Sequence, residues 1–322
     1  MARLAGVRTV APASSNSASN KVEPRSNSTM NAKASKPSVL CGLIGEGIQS
    51  SFTPRMHMQE GEAQGMRYVY RLVDLSVLGL GVEALPDLLT AAQRMGFDGL
   101  NITFPCKQAV IPHLDDLSEE ARALGAVNTV VLKEGKRVGH NTDCSGYGEA
   151  FRRRMADAAK ARVVQMGAGG AAAAVAFALL ASGVGELTIF DIEKARATDL
   201  AAKMSAHFGA GRAVAGEDVV EAVKAADGLV NTTPVGMKKL PGMSVPAEVL
   251  RPDLWVSEII YFPLETELLR RARAVGARTL DGGGMAVFQA VAAFRLFTGV
   301  EPDSGRMLAH FDALRQSAGA AE

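Results

Sequence analysis

The segment from residue 162 to residue 172 restricts the possible fold most, because it combines a buried strand, a glycine turn and the start of a helix. The apolar strand Arg162–Met166 runs into Gly-Ala-Gly-Gly-Ala-Ala, and a helical run follows to residue 182. Gly167 permits a tight turn, Gly169 lets the backbone approach a pyrophosphate, and Ala172 lets the helix pack closely on the strand. A helix N-terminus also favours an anion. The predicted dinucleotide contacts are Gly167, Ala168, Gly169, Gly170 and Ala171.

Strands and helices alternate along most of the chain. We predict strands at residues 39–44, 68–72, 99–103, 162–166, 186–191, 228–232, 255–260 and 278–281, and a hairpin from 129 to 141. We predict helices at 85–95, 118–124, 146–158, 170–182, 193–208, 217–226, 266–275, 284–298 and 304–316. Such alternation is typical of βαβ units and a parallel sheet.

This pattern predicts an α/β protein with two domains and a cleft between them. The length of 322 residues also indicates two domains, at roughly 150 residues each. We expect an N-terminal α/β substrate domain over residues 38–143, completed by residues 284–322. Residues 144–283 are expected to form a Rossmann-type dinucleotide-binding domain. The glycines at 282–284 are interpreted as the hinge that returns the chain to the first domain.

Composition excludes several classes of protein. The net charge of +1 lacks the excess of Lys and Arg that nucleic-acid binders carry. The longest apolar run, residues 171–181, is shorter than the roughly 18 to 20 residues of a membrane-spanning helix. We therefore expect no nucleic-acid or membrane partner, and five scattered histidines predict no metal site. Three widely spaced cysteines, Cys41, Cys106 and Cys144, favour a reducing, cytoplasmic location.

The first 37 residues differ from the rest of the chain. They contain six Lys or Arg residues, one acidic residue and seven serines, so they carry a charge of +5 and leave −4 for the remainder. This composition cannot offset the entropy lost on folding, so we predict a disordered tail. A transit peptide and an alternative start at Met30 are two other interpretations.

Asp191 bears on the choice of cofactor. It ends the strand after the glycine turn, 24 residues beyond Gly167, where a separation of about 20 is typical of a ribose-binding acid. A carboxylate there accepts hydrogen bonds from ribose hydroxyls and repels a 2′-phosphate. The position therefore favours NAD over NADP, although Lys194 and Arg196 lie close by.

Polar side chains follow the early predicted strands. They comprise hydroxyls, amides, one ammonium and one carboxylate: Ser51, Thr53, Asn101, Thr103, Lys107, Asn128, Asn141 and Asp143. Such a set suits a small polyol, because each ligand hydroxyl needs both a donor and an acceptor. Taken singly, each residue could instead be a turn, a cap or a solvated charge.

Several ordered motifs carry a family resemblance. GLNITFPCK, GAVNTV, GHNTD and GAGGA resemble the shikimate dehydrogenase family, and VNTTPVGM, EIIYFPLETELL and MAVFQAVAAFRLFTG resemble its quinate/shikimate branch, whose members mostly use NAD. The resemblance extends from residue 39 to the C-terminus. It implies hydride transfer between NAD and the ring secondary alcohol of shikimate or quinate.

The resemblance also implies residue roles. Lys107 and Asp143 correspond to the catalytic pair, with Lys107 as the base that takes the hydroxyl proton. The implied substrate ligands are Ser51, Thr53, Thr103, Asn128, Tyr261 and Gln289, with Asn101 beside them. Thr53 replaces a serine of the family pattern, and Glu258 stands where the family usually has Asp. Thr232 and Gly284 are expected to contact the cofactor. Asp191-Ile192-Glu193 lacks the arginine with which NADP-dependent members bind the 2′-phosphate.

Three other functions compete with this interpretation. The nearest is an NADP-dependent biosynthetic shikimate dehydrogenase. A methylene-tetrahydrofolate dehydrogenase would need more aromatic surface than 5% aromatic residues provide. A non-catalytic metabolite sensor would not need a proton-transferring pair, so the presence of both Lys107 and Asp143 argues against this function. The sequence does not decide between shikimate and quinate, nor between a monomer and a homodimer.

Overall fold

The computed structural model describes residues 36–319, which form two six-stranded sheets with helices packed on them. The predicted tail, apart from residues 36 and 37, lies outside the described part of the chain. The first sheet contains β1 (Ser38–Gly45), β2 (Arg67–Asp74), β3 (Gly99–Ile102), β4 (Asp116–Leu117), β5 (Thr129–Lys133) and β6 (Lys136–His140). The second contains β7 (Arg162–Met166), β8 (Glu186–Phe190), β9 (Ala213–Ala215), β10 (Gly228–Asn231), β11 (Trp255–Glu258) and β12 (Thr279–Leu280).

Helices and strands alternate over much of the chain. The helices are α1 (Thr53–Ala63), α2 (Leu75–Leu78), α3 (Leu85–Arg94), α4 (Cys106–Ala109), α5 (Glu119–Leu124), α6 (Thr142–Met155), α7 (Gly170–Ala181), α8 (Lys194–Phe208), α9 (Val219–Ala225), α10 (Glu267–Ala274), α11 (Gly283–Thr298) and α12 (Ser304–Gly319). The alternation is interrupted where β5 leads to β6, α2 to α3 and α11 to α12. Ser118 caps α5 by accepting a hydrogen bond from the Ala121 N–H at 3.2 Å. The α/β fold class predicted from the sequence is confirmed.

The two sheets differ in strand direction. The first has the order β2-β1-β3-β5-β6-β4 and is mixed, because β5 runs antiparallel to both β3 and β6. The second has the order β12-β11-β10-β7-β8-β9 and is parallel throughout. The chain moves outward from β7 in both directions, so the strand order reverses between β7 and β10. In parallel α/β sheets a ligand crevice lies outside the carboxyl ends of the strands at such a point.

Helices α6, α11 and α12 connect the parts of the fold that carry the site. On α6, the Tyr147 hydroxyl donates to Ser257 Oγ of β11 at 3.0 Å, and Gly146 lies against the backbone of α11. On α12, Arg306 donates twice, at 2.7 Å each, to the buried Glu60 carboxylate of α1. The last helix is thereby fixed to the helix that follows β1.

The structure differs from the sequence prediction in several elements, of which α1, α4 and α6 lie at the site. Helix α1 was not predicted, because its buried side includes His57, Glu60 and Gly61 and so shows no apolar period. Helix α6 begins at residue 142, four residues earlier than predicted, since Asn141 accepts a hydrogen bond from the Cys144 N–H at 3.2 Å and caps the helix. The short elements α2, α4, β4 and β9 were also not predicted.

Candidate active site

Lys107 and Asp143 form an ion pair at the carboxyl end of β3. Lys107 Nζ lies 2.6 Å from Asp143 Oδ2, and the two side chains are 24% and 13% exposed. Lys107 belongs to α4, and Asp143 lies in the first turn of α6. The Val127 N–H donates to the Lys107 carbonyl at 2.8 Å and ties α4 to the segment before β5. The pair is therefore held by two helix starts that meet at the edge of the first sheet.

A buried hydrogen-bond network fixes the start of α6. Asn128 Oδ1 accepts from the Thr142 N–H at 2.7 Å, and Asn128 Nδ2 donates to Thr142 Oγ1 at 3.0 Å. Thr129 Oγ1 donates to Asn128 Oδ1 at 3.1 Å and lies 3.2 Å from Thr142 Oγ1. Buried polar groups that satisfy one another hold one arrangement. The network thereby positions Asp143, the next residue along the helix.

Asn101 and Asn128 differ in what they can offer a ligand. Asn101 Nδ2 donates to Thr129 Oγ1 at 3.0 Å and to the Asn128 carbonyl at 3.3 Å, and the Tyr70 hydroxyl donates to Asn101 Oδ1 at 2.7 Å. Both amide hydrogens of Asn101 are thus used, which leaves an acceptor lone pair on Oδ1. Asn128 Nδ2 has one partner among residues 36–319, so one amide hydrogen remains for a ligand.

A cavity of about 400 Å³ opens beside the ion pair. It is lined by Lys107, Asp143 and all seven residues that were predicted to bind substrate: Ser51, Thr53, Asn101, Thr103, Asn128, Tyr261 and Gln289. Apolar side chains that the sequence analysis missed complete its walls, among them Met56, Met285 and Phe311. These three lie on helices, where an apolar residue at helical spacing is indistinguishable in sequence from an ordinary core residue.

Neutral donors dominate one part of the cavity wall. The Thr53 N–H donates to Ser51 Oγ at 3.3 Å, so the hydroxyl hydrogen of Ser51 is available to a ligand. Tyr261, in the loop after β11, is 45% exposed. Desolvation raises the pKa of the Tyr261 phenol, the Lys107 charge opposes that rise and the Asp143 charge adds to it. Tyr261 is therefore an O–H donor at neutral pH.

The glycine turn after β7 leaves room for a ligand. Gly167 has a φ of +100°, which favours glycine, and its N–H donates to the Phe190 carbonyl at 2.6 Å. A Cβ at Gly169 or Gly170 would meet no atom within 4 Å, so the start of α7 faces open space. Ala172 is fully buried against the sheet. A pyrophosphate fits this arrangement of free N–H groups at a helix start.

Asp191 lies directly beside that turn. Its Oδ2 accepts from the Ala168 N–H at 2.8 Å, and its Oδ1 accepts from the Glu193 N–H at 2.9 Å. The two cations nearby have acidic partners: Arg196 pairs with Glu193 at 2.7 Å, and Lys194 lies 3.6 Å from a carboxylate oxygen of Glu217. The negative charge of Asp191 therefore adjoins the glycine turn, and the two cations lie in exposed ion pairs with glutamates.

The two remaining predicted cofactor contacts occupy different surroundings. Thr232 Oγ1 donates to the Met166 carbonyl at 2.6 Å and so supports the glycine turn. A Cβ at Gly284 would lie 2.9 Å from Ala150 Cβ, so this glycine faces α6. Gly282 lines the cavity instead, where a Cβ would lie 2.3 Å from the Ile259 carbonyl oxygen. Contact of Thr232 or Gly284 with a cofactor remains a prediction.

Glu258 organises the loop that carries Tyr261. Its buried carboxylate accepts from Asn231 Nδ2 at 3.1 and 3.0 Å, from Thr266 Oγ1 at 3.2 Å and from the N–H groups of Ile259 and Ile260 at 3.0 and 3.2 Å. Burial nevertheless raises the pKa of Glu258 to about 7. Glu258 thus joins the loops after β10 and β11. Although glutamate is longer than the aspartate usual in the family, both of its carboxylate oxygens accept hydrogen bonds.

The parallel second sheet with its glycine turn, facing a lysine–carboxylate pair, defines a dinucleotide-dependent dehydrogenase of the two-domain α/β class. The chain is 57% identical over 283 residues to the shikimate dehydrogenase (NADP(+)) of Streptomyces avermitilis. The aligned region covers 87% of this chain and 97% of that protein. The chain belongs to the shikimate dehydrogenase family, so the resemblance found in the sequence is confirmed.

Further comparisons agree with this membership. Residues 43–130 match the family model for the shikimate dehydrogenase substrate binding domain, and residues 282–310 match that for the shikimate 5′-dehydrogenase C-terminal domain. The quinate/shikimate dehydrogenase (NAD(+)) of Corynebacterium efficiens is 50% identical, over 86% of this chain and 99% of that protein. The solved structure of quinate dehydrogenase from Corynebacterium glutamicum in complex with NAD has a TM-score of 0.83 and 47% identity, covering 86% of this chain and all of that one.

Proposed function

We propose that this protein oxidises the ring secondary alcohol of shikimate or quinate to 3-dehydroshikimate or 3-dehydroquinate with NAD as the hydride acceptor, and that it also catalyses the reverse reduction. The observation that carries the proposal is the 2.6 Å pair of Lys107 and Asp143 in a cavity lined by hydroxyls, amides and a phenol. The relatives named quinate/shikimate dehydrogenase (NAD(+)) support the same activity.

In this proposal Lys107 is the proton carrier. Oxidation of an alcohol releases a proton and a hydride, and NAD, when bound, supplies the hydride acceptor. A base must approach the hydroxyl oxygen to about 2.6–3.2 Å to take the proton. Asp143 holds Lys107 Nζ at the cavity wall. In the oxidative direction the neutral amine form of Lys107 takes that proton from the substrate hydroxyl and becomes the ammonium, which then pairs with the Asp143 carboxylate. In the reductive direction the Lys107 ammonium returns the proton to the carbonyl oxygen.

Uncharged side chains bind the rest of the substrate in this proposal. Ser51, Thr53 and Tyr261 donate to the substrate carboxylate, which therefore meets no cationic partner in that group. Thr103, Asn128 and Gln289 serve the ring hydroxyls, and Asn101 accepts through Oδ1. A hydrogen bond from an uncharged donor to a carboxylate lacks the attraction between two opposite charges that an arginine or lysine partner would add. We expect moderate substrate affinity that responds only slightly to ionic strength.

The surroundings of the glycine turn support NAD as the preferred cofactor. The Asp191 carboxylate adjoins Ala168 at 2.8 Å and would repel a 2′-phosphate. Lys194 and Arg196 lie in exposed ion pairs with glutamates, whose negative charges offset part of their attraction for a phosphate. NADP dependence is a second candidate, because the 57% identical relative from Streptomyces avermitilis carries that name.

A steady-state comparison tests the proposal. Shikimate and quinate are each assayed with NAD and with NADP, and kcat and KM are measured for all four combinations. We expect turnover of at least one substrate with a higher kcat/KM for NAD. A higher kcat/KM for NADP would replace the first candidate by the second, and absence of turnover in all four combinations would contradict both.

We also propose the domain limits given by the sequence and a cytoplasmic location. The three cysteines are buried and free, and burial raises the pKa of the Cys106 thiol, next to Lys107, to about 11. Free thiols support a reducing compartment. Among residues 36–319 no helix has both the length and the apolar character needed to cross a bilayer. Gel filtration with light scattering distinguishes a monomer from a homodimer.

A further inference from the structure

The C-terminal helix contributes a ring to the wall of the candidate active site. Phe311, on α12, is 2% exposed and lines the cavity that holds Lys107 and Asp143. No motif singled out this residue, and the proposed mechanism does not use it. Its position between two other rings suggests a role in arranging the neutral donors of the cavity.

Phe311 contacts two other rings of the cavity wall, those of Phe52 and Tyr261. Its ring centroid lies 5.9 Å from that of Phe52 at an interplanar angle of 78°, and 6.4 Å from that of Tyr261 at 62°. Both are edge-to-face arrangements, which are favourable between aromatic rings. Phe52 precedes α1 near the end of β1, whereas Tyr261 follows β11. Phe311 therefore joins segments that come from different sheets.

These two partners flank the donors proposed for the substrate carboxylate. Phe52 stands between Ser51 and Thr53 in the chain, so an edge contact that fixes its ring also restricts the backbone that carries both hydroxyls. Tyr261 itself carries the third donor. In addition, a Cβ at Gly283 would lie 3.2 Å from Phe311 Cε1, so the ring also packs against the first turn of α11.

The position of Phe311 depends on an anchor outside the cavity. Arg306, one and a half turns earlier on α12, donates to both carboxylate oxygens of the buried Glu60 on α1 at 2.7 Å each. The Asp303 N–H also donates to Glu60 Oε1 at 2.9 Å. The double contact sets the position of α12 along α1, the helix that begins at Thr53.

We propose that Phe311 is a positioning residue for the substrate carboxylate: through its edge contacts with Phe52 and Tyr261 it holds the three neutral donors in one arrangement. The inference rests on the proposed function, since it assumes a carboxylate substrate bound by Ser51, Thr53 and Tyr261. In the proposed function no cationic side chain pairs with this carboxylate, so its affinity depends on the arrangement of the three hydrogen-bond donors. The C-terminal helix thus acts on substrate binding without touching the reacting atoms.

The test compares Phe311→Leu in two backgrounds, wild type and Tyr261→Phe. In the wild type we expect KM for the carboxylate substrate to rise about tenfold, as expected for loss of two aromatic contacts, while KM for NAD changes less than about twofold. In Tyr261→Phe, which already lacks the phenol donor, the same substitution is expected to raise KM only about threefold. An equal rise in both backgrounds, or an equal rise in KM for NAD, would overturn the inference.

Two further variants separate this role from general damage to the core. Phe177→Leu is the matched control, because Phe177 is 7% exposed and also has two ring partners, His207 and Phe208, yet does not line the cavity. It should leave substrate KM unchanged. If Phe311→Leu does not fold, the half-buried Phe52→Leu must reproduce the rise in substrate KM, and its failure to do so overturns the inference.

The wild-type assay distinguishes the two proposals. Turnover of shikimate or quinate by the wild type, with an unaltered KM in Phe311→Leu, overturns the role of Phe311 alone. Lack of wild-type turnover on both substrates overturns the proposed function, and this inference with it.

Discussion

Lys107 and Asp143 are 36 positions apart in the chain, and each depends on a different local structure. Lys107 follows β3 in a short helix, and Asp143 occupies the first turn of α6 because Asn141 caps that helix. A lysine ammonium has three donors, so the bond to Asp143 leaves two for a ligand. The pair can therefore hold its own geometry and still engage a substrate hydroxyl.

Removal of the Lys107 amine should affect turnover more than binding. We expect Lys107→Ala to lower kcat by about 10²- to 10⁴-fold, the usual contribution of a general acid or base, with little change in substrate KM. Asp143→Ala should lower kcat and raise KM together, because it removes a cavity-lining acceptor and releases Lys107. Steady-state kinetics with Lys203→Ala as an exposed-lysine control measures both effects. Unchanged turnover in Lys107→Ala would remove this residue from the mechanism.

Asp191 is expected to set the cofactor preference through its charge. Asp191→Asn retains the shape of the side chain but removes the repulsion of a 2′-phosphate, so the ratio of kcat/KM for NAD to that for NADP should fall about tenfold. Asp199→Asn is the matched control, because this exposed carboxylate on α8 is not one of the partners of Lys194 and Arg196. Equal ratios in Asp191→Asn and the wild type would contradict this role for the carboxylate.

The crossing of α6 and α11 determines where Gln289 lies. A Cβ at Gly146 would come within 2.6 Å of the Gln289 backbone nitrogen and 3.0 Å of its Cα, so the helices approach more closely than a side chain at residue 146 allows. Two residues later, a Cβ at Gly148 would lie 3.8 Å from Ala178 Cβ, an ordinary contact. The same helix therefore contains one glycine required by packing and one that is not.

This difference gives a paired prediction. Gly146→Ala should lower the free energy of unfolding by about 1–3 kcal/mol, the usual cost of overpacking, and raise substrate KM because Gln289 moves. Gly148→Ala should be neutral or stabilise by up to about 1 kcal/mol, because alanine favours a helix interior. Urea denaturation and steady-state kinetics on both variants test the pair. Equal stability of the two variants would contradict the close crossing.

An element could be predicted from the sequence where the residues that determine it are neighbours in the chain, and not where they are far apart. The glycine turn at Gly167 was recognised because its strand, glycines and helix are adjacent in sequence. Helix α1 was missed because its buried side includes Glu60, whose carboxylate is paired with Arg306, 246 residues away. Phe311 was missed for a related reason: its cavity position depends on Phe52 and Tyr261, which are remote in the chain.

Across the whole molecule, the site is assembled from both sheets and from the last helix. Ser51, Lys107 and Asp143 come from the elements around the first sheet, whereas Tyr261 comes from a loop of the second. The sequence motifs indicated each of these residues separately. The fold explains why they lie close together in space. Glu258 is the buried group that fixes the second-sheet contribution, since it ties the Tyr261 loop to Asn231 and Thr266.

Glu258 therefore links the stability of the whole fold to pH. Its pKa is raised from the ordinary value of 4.5 to about 7, chiefly because burial disfavours the charged form, while its hydrogen-bond donors oppose that shift. Between these two pH values the folded protein binds the proton more tightly than the unfolded chain does. The free energy of unfolding is thus highest below pH 4.5 as far as this group is concerned, and it falls as pH rises to about 7.

The variant Glu258→Gln isolates the contribution of Glu258 to the pH dependence of stability, because glutamine does not titrate. The other titratable groups, including the buried His57, are common to both proteins, so their contributions cancel in the difference. The free energy of unfolding of the wild type minus that of Glu258→Gln should fall by about 3 kcal/mol as pH rises from 4.5 to about 7, and then remain level. Urea denaturation of both proteins across this range measures the difference, with Glu248→Gln as the exposed-glutamate control. A difference that increases with pH would mean that the donors around Glu258 outweigh its burial, and parallel curves would mean that Glu258 does not couple folding to pH.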